Sequence, residues 1–327
     1  MKRSLPFVLA ALFMAFAQQA SARSSTAVDE LLAQDARLAG VAEALLGANA
    51  PLCRRLMPLT GLVIHSRDQY AGSEEARFAN GPVAMALVLP GSAAERAGIR
   101  AGDGLAAIGA QRTAALRAEG EAPLRDAVFD ALADAWPGRG PLALRLVRKG
   151  EERTATLNPQ PGCRALVEIR TRDSLEARSD GRVIQADWGL VRAAGDEELA
   201  VIVAHELAHL VLEHRRRLSE AGVEKGFFGE FGRNQRLNRQ VEVEADRLSV
   251  HLLANAGFDP HGAPAFWRGA LARRAAGGLR LSTTYPSPEN RAALLEREIA
   301  DYLGGGSGPS MPGHLLARRG APFDGEP

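Results

Sequence analysis

The spacing of apolar positions changes several times along this chain. Residues 5–17, LPFVLAALFMAFA, form an apolar run with no polar interruption. Over residues 23 to about 50, AVDELLAQDARLAGVAEALLG spaces its apolar residues by three and four, which predicts a helix. Between Cys53 and Cys163 the texture shortens. TGLVIHS and VAMALVL read as strands, and PGSAAERAGIRAGDGLAAIGA (90–110) as a turn, a short helix, a Gly-Asp turn and another strand. APLRDAVFDALADAW (122–136) reads as an amphipathic helix opened by Pro123, and PLALRLVRKGEERTATLNP as a hairpin turning at Lys149-Gly150. ALVEIRTR and GRVIQADWGLV then alternate like a pair of strands around a Ser179-Asp180-Gly181 turn. From Asp196 onward the pattern is mostly helical, until the glycine- and proline-rich GGGSGPSMPGHLLARRGAPFDGEP, which reads as a loose tail. No repeat of solenoid length stands out.

The N-terminal run acquires a meaning from its flanks. Lys2 and Arg3 precede it, and QQASA follows with Ala20 and Ala22 in the A-x-A spacing of a signal-peptidase site. A spanning helix needs roughly 20 apolar residues, more than this run supplies. Residues 1–22 are therefore expected to be a cleaved export signal. The mature chain is expected to be periplasmic and to have no transmembrane segment. In an oxidising compartment paired cysteines tend to be bridged, so Cys53 and Cys163, the two cysteines of the chain, are expected to form a disulfide. A length of 327 residues favours two domains. The formal net charge of +1, with HRRRL (214–218) as its one short basic run, argues against a nucleic-acid footprint.

The candidate chemistry sits inside an apolar helix. In VIVAHELAHL (201–210), His205 and His209 are four residues apart and so lie one above the other on one face. Imidazoles at that spacing can both reach one tetrahedral zinc, with Glu206 beside it as general base. An H-E-x-x-H pattern that takes a third histidine further along would need Gly at 212 and His at 215. Those positions hold Leu212 and Arg215. On a continuous helix His214, five residues past His209, points off the ligand face. A later helix, NRQVEVEADRLSVHLLANAGFDP (238–260), ends at Gly257 with Pro260 beyond. Its Glu242 and Asp246 share a face, whereas Glu244 points elsewhere. Glu242 suits the third ligand position, and Asp246 suits the acceptor for the outer N–H of a ligand histidine. His65, His251, His261 and His314 read as structural or exposed.

Two resemblances extend this picture. PGSAAERAGIRAGDGLAAIGA resembles the signature of bacterial-type PDZ domains, with Gly109-Ala110 where Asn-Gly is usual. That resemblance covers about residues 55–160 and implies a domain that binds extended peptides or chain ends. VIVAHELAHLVLEH followed by EVEAD and LANAGFDP is similar to the HtpX and BepA group of gluzincin peptidases, which includes the CAAX prenyl proteases, over about residues 164–300. This resemblance implies zinc held by His205, His209 and Glu242, Glu206 as base and Asp246 behind the ligands. STTYPSPENR (282–291) is similar to a T-H-P-[SL]-P-E-x-R segment of the same group, with Tyr285 in place of its histidine. Tyr285 and Arg291 are carried over as candidate catalytic or site-supporting residues.

The expected fold class is α+β, with a mainly helical zincin-like (gluzincin) peptidase domain preceded by a β-rich PDZ-like domain. The expected divisions are a signal peptide (1–22), a helical lead-in (23–52), the PDZ-like domain (53–163), the peptidase domain (164–302) and a flexible tail (303–327). The expected function is a zinc metalloendopeptidase acting on unfolded or extended envelope polypeptides in quality control. An extended substrate is expected along an edge strand at 183–187, with the PDZ-like domain recruiting it. The competing reading is a chaperone-like or peptide-binding envelope factor with a latent or structural zinc site.

Overall fold

The computed structural model describes residues 6–70, 75–223, 232–278, 287–304, 308–321 and 323. Helix α1 (Pro6–Ala48) runs without a break through both the apolar run and the lead-in. No helix among the described residues is long and apolar enough to cross a membrane. The far end of α1 buries Leu38, Val41, Leu45 and Leu46 in the same core as the H-E-x-x-H helix. The lead-in is thus part of the larger core, although half the chain separates it from that helix.

The residues that follow build a second core. Strands β1 (Leu56–Leu59), β2 (Leu62–Ser66), β3 (Val83–Val88), β4 (Gly104–Ile108), β5 (Gln111–Arg112), β6 (Leu142–Arg148), β7 (Glu151–Leu157) and β8 (Gln160–Cys163) appear in this region, with helices α2 (Ala93–Arg96) and α3 (Leu124–Asp134). The main sheet has the order β2-β3-β4-β6-β7, with β5 added to β4. The β6–β7 hairpin turns at Lys149 and Gly150, both at positive φ (55° and 81°), as a two-residue turn between right-twisted strands requires. Val83, Met85, Ile108, Leu144 and Leu157 of the sheet close on Val128 and Leu132 of α3. Gly61 precedes β2 at φ +73°, and a Cβ there would lie 2.0 Å from that of Ser92. Only glycine fits so close an approach in that conformation.

β1 and β8 pair antiparallel as a two-stranded neck, and the Cys53–Cys163 disulfide lies at its end. The predicted bridge is present. Acidic residues at every fourth position of α3 complete the junction. Arg182 binds Asp126 and Asp130, and Arg164 binds Asp130 and Asp134. Arg125 pairs with Glu168. On the lead-in side, Gly61 N–H donates to Glu43 Oε1 at 2.6 Å.

Beyond the neck lie β9 (Leu166–Arg170), β10 (Ala177–Ser179) and β11 (Val183–Asp187), then α4 (Trp188–Ala193) and α5 (Asp196–Val211). The two apolar segments form a pair of strands, β9 and β11, but the turn at Ser179-Asp180-Gly181 does not join them to each other. β9 and β11 are parallel, and the turn before Val183 joins β11 to β10, a short strand too polar to announce itself. In the order β10-β11-β9, residues 183–187 form the central strand, so the expected edge strand is corrected to β10 or β9.

Helices α6 (His214–Glu220), α7 (Gly232–Asn255), α8 (Gly262–Arg268), α9 (Ala270–Gly278), α10 (Pro288–Tyr302) and α11 (Gly313–Leu316) complete the larger lobe. The C-terminal stretch, expected to be loose, is packed over residues 308–321: Leu315 is buried and Arg319 donates to Leu52 O. The reason lies in Glu298 of α10. Its Oε1 lies 3.0 Å from His251 Nε2 and 2.8 Å from His314 Nε2, and Arg247 Nε donates to its Oε2 at 2.6 Å. Ser310 Oγ lies 2.6 Å from the other nitrogen of His251. His251 and His314, read from the sequence as structural or exposed, tie the tail to α7 and α10. His251, Glu298 and His314 form one of two groups able to hold a metal ion among the described residues. Their N···O distances are those of N–H donors on a carboxylate, and Arg247 meets the second oxygen, so hydrogen bonds alone satisfy Glu298.

Replacing both cysteines by serine is expected to cost about 4–5 kcal/mol, the chain-entropy figure for a loop near 110 residues, read by chemical denaturation. A loss below about 1 kcal/mol would contradict it. Burial alone would raise the Glu298 carboxyl, but the hydrogen bonds from His251, Arg247 and His314 outweigh it and hold it at about 2 against an ordinary 4.5. The folded value lies below the unfolded one. The stabilisation is therefore complete above pH 4.5 and is lost as pH falls toward 2. Glu298→Gln is expected to lower stability by about 3 kcal/mol at pH 7 and by clearly less at pH 3. An equal deficit at both values counts against the carboxylate as the hub.

Candidate metal centre

Helix α5 is buried on nearly every side: Leu199, Ala200, Val203, Ala204, Leu207 and Ala208 are all at 1% exposure or less. It packs against α1, α7, α8 and β10. A helix apolar all round belongs in an interior, where its polar residues need partners. Gly195, not Asp196, is the N-cap, and its N–H donates to Glu198 Oε2 at 2.9 Å. Asp196 instead accepts from Arg37 of α1 at 2.7 Å, which couples the lead-in to the start of the site helix.

His205 and His209 face α7 with their Nε2 atoms 3.1 Å apart. Glu242 of α7 completes a triangle, its Oε2 3.3 Å from His205 Nε2 and its Oε1 3.5 Å from His209 Nε2. A tetrahedron with metal–ligand bonds of about 2.0–2.1 Å, the lengths zinc takes to imidazole and carboxylate, has edges of about 3.3–3.4 Å. The contacts lie near that value, the two to Glu242 being made by different carboxylate oxygens. Two imidazole nitrogens this close cannot both point protons at each other, so at least one lone pair faces into the cluster, where a cation could take it up. The sequence-predicted ligand set is thus brought together and fits a divalent metal.

A metal bound there would displace a proton, because the side chains by themselves place one on His205. Burial, opposed by Glu242, pushes His209 down to about 3 and keeps it neutral. Burial also disfavours charge on His205, but hydrogen bonds and charge from Asp246 and Glu242 outweigh it and raise His205 to about 10. Glu242 is held well below the ordinary carboxylate range: burial works against its charge, and His209, His205 and Arg291 overcome it. Glu206 differs. It is 9% exposed and makes no hydrogen bond or ion pair with a described residue. Burial pushes it up to about 7, with His205 pulling the other way. A buried, unpartnered carboxyl beside a ligand set suits proton transfer near neutral pH.

Asp246 faces His205 as expected, with Oδ1 3.1 Å from Nδ1 in an ion-pair contact. Arg291 reaches Asp246 through Nε at 2.7 Å and Nη2 at 2.6 Å. Its guanidinium carbon also sits 3.4 Å from the centroid of the Trp267 ring. Arg291 therefore acts on the site by holding Asp246. Tyr285 lies outside the described residues.

Two residues set aside on the sequence belong here. Helix α5 ends at Val211, and Glu213 takes a left-handed conformation (φ 54°, ψ 36°) that starts α6 in a new direction. The off-face angle expected for His214 on a continuous helix is therefore corrected: its Nδ1 returns to within 2.9 Å of His209 Nδ1. Glu244 does point away from Glu242, but into a buried contact with His214 and Arg217. Burial raises the Glu244 carboxyl less than His214 and Arg217 lower it, and it stands at about 2. No glycine marks the left-handed residue, so the sequence carries no local signal for the turn.

No family model matches the chain. A search of curated proteins finds similarity to the mitochondrial metalloendopeptidase OMA1 of Schizosaccharomyces pombe (strain 972 / ATCC 24843), 28% identical over 141 residues. The alignment takes in 37% of this chain and 42% of that relative, so the chain spans less than half the length of the curated protein it matches. The similarity points to a metallopeptidase, in agreement with a ligand cluster beside an unpartnered glutamate.

Purified protein is expected to carry one divalent metal ion per chain by elemental analysis. Alanine at His205, His209 or Glu242 should abolish it. Full metal content in Glu242→Ala would remove Glu242 from the ligand set.

Proposed function

We propose that this protein is a zinc-dependent endopeptidase that cleaves extended polypeptides of the cell envelope. The observation that carries the proposal is the convergence of His205, His209 and Glu242 beside a buried Glu206 with no partner among the described residues. His205, His209 and Glu242 would hold the zinc, which would supply a Lewis acid for a carbonyl oxygen and make water more acidic. The chain itself supplies the rest. Glu206, raised to about 7, accepts a proton at one carboxylate oxygen and returns it to the leaving amine. Asp246, fixed by Arg291, orients His205.

The three-stranded sheet suits extended substrate. β10 packs beside α5 and pairs on one side only among the described strands, which leaves a ladder edge beside the site helix. An extended peptide can add to such an edge through its backbone, so that recognition depends little on side chains. We assign to the smaller lobe, a sheet with α2 and α3 over it, the PDZ-like role of engaging chain ends or unfolded segments. The disulfide and the N-terminal export pattern support a periplasmic setting. Quality control of envelope proteins follows from the same reading.

The test is Glu206→Gln, which keeps size and leaves the ligands in place. It is expected to bind metal like the parent and to cleave an unstructured fluorogenic peptide 10²- to 10⁴-fold more slowly, roughly the contribution of a general base. Cleavage within threefold of the parent would exclude Glu206 as the base, and no cleavage by the metal-loaded parent on any unfolded protein would favour a binding role.

A further inference from the structure

His205 has a carboxylate, Asp246, facing its outer nitrogen. His209 has another histidine. Its Nδ1 lies 2.9 Å from Nδ1 of His214, and His214 Nε2 lies 3.1 Å from Glu244 Oε2. Glu244, 5% exposed, accepts from Arg217 Nη1 at 2.5 Å and from Gln240 Nε2 at 2.9 Å. His214 is 2% exposed, with a polar partner within hydrogen-bond reach of each ring nitrogen.

With His214 neutral, these contacts leave one arrangement of protons. An ionised carboxylate accepts and cannot donate, so His214 carries its proton on Nε2 and gives it to Glu244. Neutral His214 then offers a lone pair at Nδ1. The nitrogen facing it must be the donor, so His209 carries its proton on Nδ1. That leaves His209 Nε2 unprotonated, with its lone pair directed toward Glu242 and His205. The hydrogen bonds run from Arg217, whose guanidinium keeps its charge at any ordinary pH, through Glu244 and His214 to a ligand histidine.

We propose that Glu244, acting through His214, sets the tautomer of His209 that metal binding requires, so that the site is prepared by a hydrogen-bond relay before any ion arrives. The inference rests on the metal-centre reading above. It makes His214, Glu244 and Arg217 positioning residues, parallel to Asp246 and Arg291 on the other ligand. Both arms end on a buried carboxylate–arginine pair, and the two carboxylates stand two residues apart on α7. One arm reaches its ligand directly and the other through an imidazole. A side chain that merely filled space at position 214 would need neither ring nitrogen.

Zinc affinity, measured on the full chain by competition with a chelator, distinguishes these roles. His214→Phe keeps an aromatic ring and leaves Glu244 paired with Arg217, and is expected to weaken zinc binding 10- to 100-fold, the usual effect of losing such an outer partner. His214→Gln can accept with its amide oxygen and donate with its amide nitrogen, and is expected to recover most of that loss. Imidazole nitrogen NMR of the unsubstituted protein, free of zinc and loaded with it, is expected to place the His209 proton on Nδ1 in both states. This readout does not depend on any variant folding. Zinc binding within twofold of the parent in a folded His214→Phe would overturn the relay, as would a His209 proton on Nε2 in the zinc-free parent. A parent that takes up no zinc while His209 still holds its proton on Nδ1 would sink the metal reading and leave the hydrogen-bond relay standing.

Discussion

Everything in the larger lobe follows from burying α5 on nearly all sides while it carries two histidines and a glutamate. In a low-dielectric interior an unsatisfied polar group costs about 1–3 kcal/mol, and a charged one more. The helix therefore dictates what surrounds it. His205 is met directly by Asp246 and His209 through His214 by Glu244, and each of these buried acids is met by an arginine: Asp246 by Arg291, Glu244 by Arg217. Glu206, with no such partner among the described residues, is raised by burial toward neutrality.

Helix α7 is the element that makes this possible. Glu242, Glu244 and Asp246 occupy alternate positions of one helical stretch, so they leave the axis in different directions. Glu242 and Asp246 meet the ligand face of α5, while Glu244 meets α6 where that helix folds back. The left-handed residue Glu213 is the small geometric change on which the second arm depends. Without it His214 would continue along α5 and could not contact His209. Farther along α7, Arg247 and His251 bind Glu298, so the helix that bears the ligands also anchors the C-terminal stretch.

The smaller lobe is attached at several independent points. A disulfide and the β1–β8 pair close the neck, and α1 lies in the core of one lobe while Glu43 caps the Gly61 amide of the other. The acidic face of α3 meets Arg164 and Arg182 just beyond the neck. Exposed ion pairs contribute little singly, but these share residues and sit beside a covalent link. Together they set the orientation of α3 relative to β9 and β11.

The spacing of His205, Glu206 and His209, and that of Glu242 and Asp246, were legible because helical periodicity is local: residues four apart share a face wherever the helix packs. The disulfide was legible from two cysteines flanking one texture of sequence, and the β6–β7 hairpin from Lys149-Gly150. The partners of β11, the place of α1, the packed tail and the roles of His214, Glu244, His251 and His314 were not. β10 has no hydrophobic signature, so the parallel β9–β11 pairing around it has no local pattern. His214 was judged on a helix that in fact stops three residues earlier. Its contact with Glu244 joins positions 30 apart, and that of His251 with Glu298 joins positions 47 apart. The sequence by itself determined which residues share a helical face and therefore which can serve as ligands. Only the tertiary structure decided which nitrogen of each histidine is free to bind, because a tautomer is set by hydrogen bonds to groups that the fold, and no local pattern, brings within reach.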